Sequence, residues 1–530
     1  MAMEKIENNE KAQSSFRESL PQILAVSIKN VLLLIHGMSL GFTTILIPGV
    51  SGNDINEPIL LGQEEISWIG SINLIFVPLG CVFSGTLTQI VGRKKAMQFV
   101  NIPFLTAWLL FYFSTASWHI FLAASLLGWS GGLLEAPVLT YVAEITQPHL
   151  RGILSSTSTM SVTLGMLSQF ILGAALDWRT VTLVNCVLPL ISFCLLMLIP
   201  ETPVWLLTKN RHEEAKKSIA WLRGWTSVEN ILEEYQELYA QIKVREEVDN
   251  SFRGILKNKV KNIKLFGQKN FLWPCLLVSF AFFLGHFNGY SPFQVYAIKI
   301  FQALHAPLNE YYSTIIVGVV QLLGTSISVG LIHVFGKRIL NFISLFGSGV
   351  CVLIVATYSY VYNITDFEDT SNSITNATLT GPLDSEPHTW IPVVFLTLFG
   401  FLSYVGIKIL PWVLIGEIFA VEIRATASGV SAAIGYLFGF TANKTFLHMV
   451  SSFTLPVVFW VYGAVGVIGT VVLYFVLPET EGKSLYEISE HFAGRGKLKN
   501  SVRKGNKQQY GCSNSAFEHD EKDDKFESRL

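Results

Sequence analysis

Apolar stretches of roughly 20 residues recur along almost the whole chain, and no other feature restricts its fold so tightly. That length, at 1.5 Å per helical residue, crosses the roughly 30 Å of a bilayer's hydrocarbon core. A helix suits such a stretch because it satisfies its own backbone hydrogen bonds where no water is available. Half of the 530 residues are hydrophobic and only 15% are charged, whereas a soluble protein carries closer to a quarter charged residues. The reading is an all-α integral membrane protein with about twelve spans. They are expected at 26–49, 67–90, 97–115, 119–143, 153–176, 181–199, 272–297, 311–335, 341–361, 391–416, 426–447 and 456–477.

Charge in the loops orients these spans. The segment 51–65 has Asp54, Glu57, Glu64 and Glu65 but no Lys or Arg, and 363–388 is likewise acidic. Arg93, Lys94 and Lys95 follow the second span, Lys337 and Arg338 follow the eighth, and 208–270 is rich in Lys and Arg. One topology fits all of these, with both termini cytosolic. It places the glycosylation sequons at Asn363 and Asn376 outside, and a third at Asn443 in or beside a span. The expected divisions are a cytosolic segment 1–25, a bundle 26–207, a cytosolic helical loop 208–270, a second bundle 271–478 and a cytosolic tail 479–530. Residues Glu213 to Glu247 read as one amphipathic helix, and the tail beyond Lys497 as disordered.

Net charge is −1 and no basic block is interleaved with aromatics, so no nucleic-acid partner is expected. The six cysteines are scattered, indicating neither a disulfide framework nor a metal site. The first 22 residues lack the short apolar core of a signal peptide, so insertion is expected to rely on the first span. With no nucleophile elbow, phosphate loop or metal cluster, the chain reads as neither an enzyme nor a cofactor protein.

The chain repeats itself. Gly92-Arg-Lys-Lys answers to Gly336-Lys-Arg, Glu144 with Arg151 to Glu417 with Arg424 at the same spacing of seven, and Pro200-Glu-Thr to Pro478-Glu-Thr. Two six-helix halves follow, parallel and related by an axis along the membrane normal. At helix ends such residues can cap carbonyls and pair across helices, giving a latch of Arg93, Glu144, Arg151, Glu201, Lys337, Glu417, Arg424 and Glu479.

These motifs, with Tyr141-Val-Ala-Glu-Ile, Pro200-Glu-Thr-Pro-Val-Trp-Leu-Leu, Pro411-Trp412 and Pro478-Glu-Thr-Glu-Gly-Lys-Ser-Leu, resemble the sugar porters of the major facilitator superfamily over about 25–490. Ser67-Trp-Ile-Gly-Ser and Trp178-Arg179 look most similar to the insect facilitated trehalose transporters and their divergent relatives. The resemblance implies facilitated movement of a sugar or polyol across the plasma membrane by alternating access, without a cofactor. Proton symport and a non-transporting sensor are the alternatives. It also implies a solute site of Gln321, Trp412, His286, Asn288, Thr159 and Tyr436, and an outer gate at Tyr296. Several family positions differ: Gln89 and His333 stand where an acid is usual, Ala124 and Val204 where Arg is usual. The family's Gln-Gln-Leu-Ser-Gly-Ile-Asn is matched by the run from Gly285 to Ser291.

Two charges stand within spans, where a charge costs several kcal/mol. Glu135 lies nine residues before Glu144 and Lys408 nine before Glu417, so both sit about 13 Å from the cytosolic helix end. They are expected either to approach each other or one bound solute, or to be neutralised separately. The acid usual to symporters in span one is missing from Gly41-Phe42-Thr43, which favours uniport.

Overall fold

The computed structural model describes residues 2–53, 57–249, 269–367, 388–419, 424–483 and 485–492, together with 495, 496 and 498. Among these the regular structure is helical throughout, and the twelve expected spans are all present. In order they are Ala2–Pro48, Ile72–Val91, Arg93–Tyr112, Ser117–Ile145, Pro148–Ala175, Trp178–Met197, Lys269–Phe287 with Tyr290–Ala303, Glu310–Phe335, Lys337–Val361, Trp390–Val405 with Leu410–Glu417, Arg424–Phe453 and Leu455–Val476. Ten are long and apolar enough to cross a membrane. Spans 3 and 11 are long enough but more polar: span 3 opens on Arg93, Lys94 and Lys95, and span 11 carries Asn443 and Lys444.

Span 1 packs on span 5, span 2 on span 4, and span 3 on spans 4 and 6. In the second bundle span 7 packs on span 11, span 9 on spans 10 and 12, and span 8 on span 10. The bundles meet where span 2 lies on span 11 and span 5 on span 8, two contacts that the internal repeat makes equivalent. Lipid is as apolar as a leucine side chain, so close helix packing here depends on small residues. A Cβ on Gly132 of span 4 would stand 2.1 Å from the Val77 carbonyl of span 2.

Spans 7 and 10 are each broken near mid-depth. Span 7 breaks at Gly289, whose φ of +89° favours glycine, and a Cβ there would also lie 2.7 Å from the Tyr462 ring. Asn288 Oδ1 then accepts from the Tyr290 N–H at 3.1 Å, capping the second half-helix. Span 10 unwinds between Val405 and Leu410; the freed Ile407 N–H donates to Ser344 Oγ at 2.9 Å, and the helix restarts just before Pro411.

The loop after span 6 differs from the sequence expectation in one respect. The stretch expected as one amphipathic helix forms two, His212–Leu222 and Leu232–Asp249. Gly224 and Trp225 separate them, both with φ in the left-handed region (91° and 53°). This cap docks on the first bundle: Trp205 Nε1 donates to the Gln89 carbonyl at 3.0 Å, and Ser218 Oγ to the Glu201 carbonyl at 2.6 Å. The tail beyond residue 498 lies outside the described residues.

Candidate functional site

The two glycine turns lie six spans apart, hence on the same face, and are built alike. Gly92 and Gly336 have φ of 98° and 83°. Each lets the next helix begin directly against a carboxylate, half-buried at Glu201 and buried at Glu479. Glu201 accepts from the Arg93 and Lys94 N–H groups at 3.0 and 3.1 Å. Glu479 accepts from those of Lys337 and Arg338 at 3.2 and 3.0 Å. Anionic caps on helix N-termini are favourable both as hydrogen bonds and against the helix dipole. Burial pushes the Glu201 carboxyl above its usual range, and the Thr202, Lys94 and Arg93 N–H groups act against that shift. A Cβ on Gly92 would come within 2.3 Å of Glu201 Oε2.

The charged partners follow the same repeat. Arg93 pairs with Glu144 at 2.7 Å, and Lys337 with Glu417 at 2.7 Å and Glu481 at 2.8 Å. Among the described residues, Glu144 pairs with Arg93 on span 3 and Glu417 with Lys337 on span 9. The side chains of Arg151 and Arg424 lie outside the described ones.

On the opposite face the bundles are joined. Lys444 on span 11 pairs with Glu64 at 2.5 Å, and His448 Nε2 lies 2.9 Å from the other Glu64 oxygen. Ser67 Oγ donates to the Lys444 carbonyl at 2.9 Å, Gln63 to the Leu447 carbonyl at 3.2 Å, and Asn443 Nδ2 to the Gly70 carbonyl at 3.0 Å. Tyr296 is buried in this seam, its ring stacked 5.2 Å from Phe446 and its hydroxyl 3.5 Å from the Asn443 carbonyl. Thr44 Oγ1 donates to the Gln294 carbonyl at 2.8 Å. Among the described residues, the polar contacts between bundles gather on this face or at mid-depth. Asn363 is exposed on this face at φ 54°, Asn443 is buried, and Asn376 lies outside the described residues.

At mid-depth, most of the expected solute-site residues collect beside the two helix breaks. Gln321 of span 8 is fully buried and donates to the Tyr290 hydroxyl. Asn288, equally buried, is spent on the cap already described. His286 Nδ1 lies 2.7 Å from Ser291 Oγ. The Trp412 and Tyr436 rings lie against each other at a tilt of 58°, centroids 5.7 Å apart, and the Tyr436 hydroxyl reaches Glu135 of the other bundle at 3.4 Å. Trp412 is nonetheless 41% exposed. Thr159 stands apart, exposed on span 5.

Glu135 and Lys408 form no ion pair within 4.0 Å. Lys408 Nζ donates to Ser291 Oγ at 2.8 Å and sits 5.3 Å over the Tyr290 ring, while Glu135 turns to Tyr436. Unwinding of span 10 is the cause: Lys408 occupies the non-helical turn and is drawn toward span 7. Ser291, Tyr290 and the span-10 break carried no sequence signal that singled them out. Lys29 was also missed; it is fully buried on span 1 and donates to Ser158 Oγ of span 5 at 2.7 Å.

The family model described as "Sugar (and other) transporter" matches residues 36–492. The chain is 28% identical over 491 residues to the facilitated trehalose transporter Tret1 of Polypedilum vanderplanki, covering 91% of this chain and 90% of the relative. Against Tret1 of Apis mellifera ligustica it is 28% identical over 473 residues, covering 89% and 88%. Among solved structures, the inward open conformation of the xylose transporter XylE from E. coli superposes with a TM-score of 0.68 at 18% identity, covering 88% of this chain and 98% of that one. The proton:xylose symporter XylE bound to 6-bromo-6-deoxy-D-glucose gives 0.66 at 19%, covering 90% and 100%. The fold is therefore that of the major facilitator transporters, and the chain belongs to the sugar (and other) transporter family.

Proposed function

We propose that this multi-pass membrane protein is a facilitator that carries a sugar or related polyhydroxy solute down its gradient by alternating access. Bundles at 26–207 and 271–478 rock about one site at mid-depth, lined by Trp412, Tyr436, His286 and the groups around the span-7 and span-10 breaks. An aromatic face beside amide, hydroxyl and imidazole groups suits a sugar ring, whose faces are apolar and whose edges are polar. The curated relatives are described as facilitated trehalose transporters, which supports the sugar class.

The observation that carries the reading is the distribution of contacts between the bundles. The seam of Glu64, Lys444, Asn443 and Tyr296 closes one face, while the glycine turns and their ion pairs hold each bundle together separately on the other. Binding to a site between two such bodies biases whichever closure it completes. We place the glycine-turn face and both termini in the cytosol, because the Lys/Arg-rich loops lie there, and the protein in the plasma membrane. Asn363 and Asn376 are then extracellular and available for glycosylation.

Proton-coupled transport is the second reading, and it rests on Glu135. That carboxylate faces the cleft with Tyr436 as its hydrogen-bond partner and is spared by the static pairs. Uptake of radiolabelled glucose and trehalose into oocytes at equal and unequal pH separates the two. A facilitator takes up sugar at the same rate with and without the gradient; a symporter accelerates when the outside is acid. No uptake under either condition contradicts both.

A further inference from the structure

Lys408 is a charge at the mid-depth site that a neutral sugar leaves unexplained. Its ammonium sits on the unwound turn of span 10, half-buried, with no carboxylate within 4.0 Å among the described residues. Its partners are a hydroxyl and a ring face: Ser291 Oγ at 2.8 Å and Tyr290 at 5.3 Å. A lone charge at this depth is costly, and evolution retains such groups where they meet a counter-charge.

The hydrogen-bond chain fixes which protons remain available. An ammonium can only donate, so Ser291 Oγ accepts from Lys408; with Nδ1 of neutral His286 as the acceptor, the Ser291 proton goes there at 2.7 Å. Neutral His286 therefore carries its proton on Nε2. The remaining ammonium protons and that N–H are donors. This wall offers donors to an acceptor-rich group. In the same bundle as Lys408, Tyr436 lies beside Trp412, and its hydroxyl reaches across to Glu135 of the other bundle.

We propose that the solute carries one carboxylate: a sugar acid whose ring lies on Trp412 and Tyr436 and whose carboxylate is held by Lys408, beside Ser291 and His286. A single ammonium without an arginine fork suits a carboxylate better than a phosphate. Spans 7, 8 and 10 contain no arginine. Glu135 on the facing wall opposes a second negative charge. The proposal rests on the transporter reading above and narrows its substrate class.

Binding and transport are measured separately so that the two readings can fail separately. Purified protein in detergent is titrated with radiolabelled D-glucuronate and D-glucose by scintillation proximity, and uptake of both is followed in proteoliposomes. The expected result is at least a tenfold tighter binding of glucuronate than glucose. Lys408→Gln abolishes that preference and Lys408→Arg keeps part of it, with all three proteins monodisperse on gel filtration. Equal or weaker binding of glucuronate, or a preference that survives in Lys408→Gln, overturns the carboxylate site. Glucuronate binding without uptake of either solute leaves this site standing and removes the transporter reading. Glucose uptake without glucuronate binding does the reverse.

Discussion

The Lys444 ammonium of span 11 lies 2.5 Å from the Glu64 carboxylate at the head of span 2, and it is the ion pair that ties the two bundles together on the face opposite the glycine turns. The same ammonium stacks 4.5 Å over the Trp68 ring, so one lysine binds a charge and an aromatic of the other bundle. Backbone contacts from Ser67, Gln63 and Asn443 surround it.

Because Glu64 is 61% exposed, solvent screens this pair and its contribution to closure is expected to be small. Lys444→Gln should therefore move the balance toward the state open on this face by roughly two- to fivefold, not abolish closure. Spin labels on Leu60→Cys and Ser451→Cys would report it as growth of a longer-distance population in pulsed dipolar spectra. An unchanged distribution would show that the pair contributes nothing to closure.

The carboxylate caps of the repeat should matter more than that surface pair. Glu201 accepts from several backbone N–H groups at the turn, and charge-assisted bonds are worth about 1.5–3 kcal/mol each. Glu201→Ala and Glu479→Ala should each lower the melting temperature in detergent, with Glu201→Gln intermediate because it keeps one acceptor oxygen. Gly92→Ala should be at least as harmful as Glu201→Gln, since its Cβ meets the carboxylate and its φ is strained for any other residue.

Lys337 and Arg93 hold equivalent places but unequal surroundings. Lys337 is 7% exposed and serves both Glu417 and Glu481, whereas Arg93 is 14% exposed and serves Glu144. Lys337→Ala strands two carboxylates close together, and breaking a buried pair costs about 3–5 kcal/mol. Its loss of thermal stability should exceed that of Arg93→Ala; the reverse order would contradict the burial argument.

A further structural clamp sits at the ends of spans 3 and 6 on the face opposite the glycine turns. Arg179 grips Glu57 through Nε and Nη2 at 2.9 and 2.6 Å, holds the Tyr112 and Ser114 carbonyls at 3.0 Å, and Trp178 Nε1 adds a 3.1 Å bond to the same carboxylate. Arg179→Ala should cost on the order of 3–5 kcal/mol. Arg179→Lys should recover little of it, because a lysine cannot span both oxygens and two carbonyls. Yield of monodisperse protein and melting temperature measure both.

The architecture was legible because span length and the duplicated motifs are written in local sequence. Glu201 and Glu479 were named from the repeat as latch residues, and their place beside the glycine turns comes from the fold. The Arg93–Glu144 ion pair joins neighbouring helices, a contact made by helix packing that spacing along one helix does not encode. The mid-depth site was read in part. His286, Asn288, Gln321, Trp412 and Tyr436 were named from sequence, yet Asn288 caps a half-helix and Gln321 holds Tyr290. Glu135 and Lys408 seemed equivalent because each precedes its glutamate by nine residues. That spacing gives equal depth only on an unbroken helix, and Gly406 to Ile409 is not helical. Lys29 escaped notice because a single lysine near the start of a span reads as a flank.

Counterflow in proteoliposomes tests the central claim most directly, that one site opens to the two faces in turn. Vesicles preloaded with unlabelled sugar and diluted into labelled sugar, at equal pH and without an ion gradient, should accumulate label transiently above equilibrium before it declines. A monotonic approach to equilibrium would mean an open pore, and no entry of label would mean a protein that does not transport; either contradicts the account.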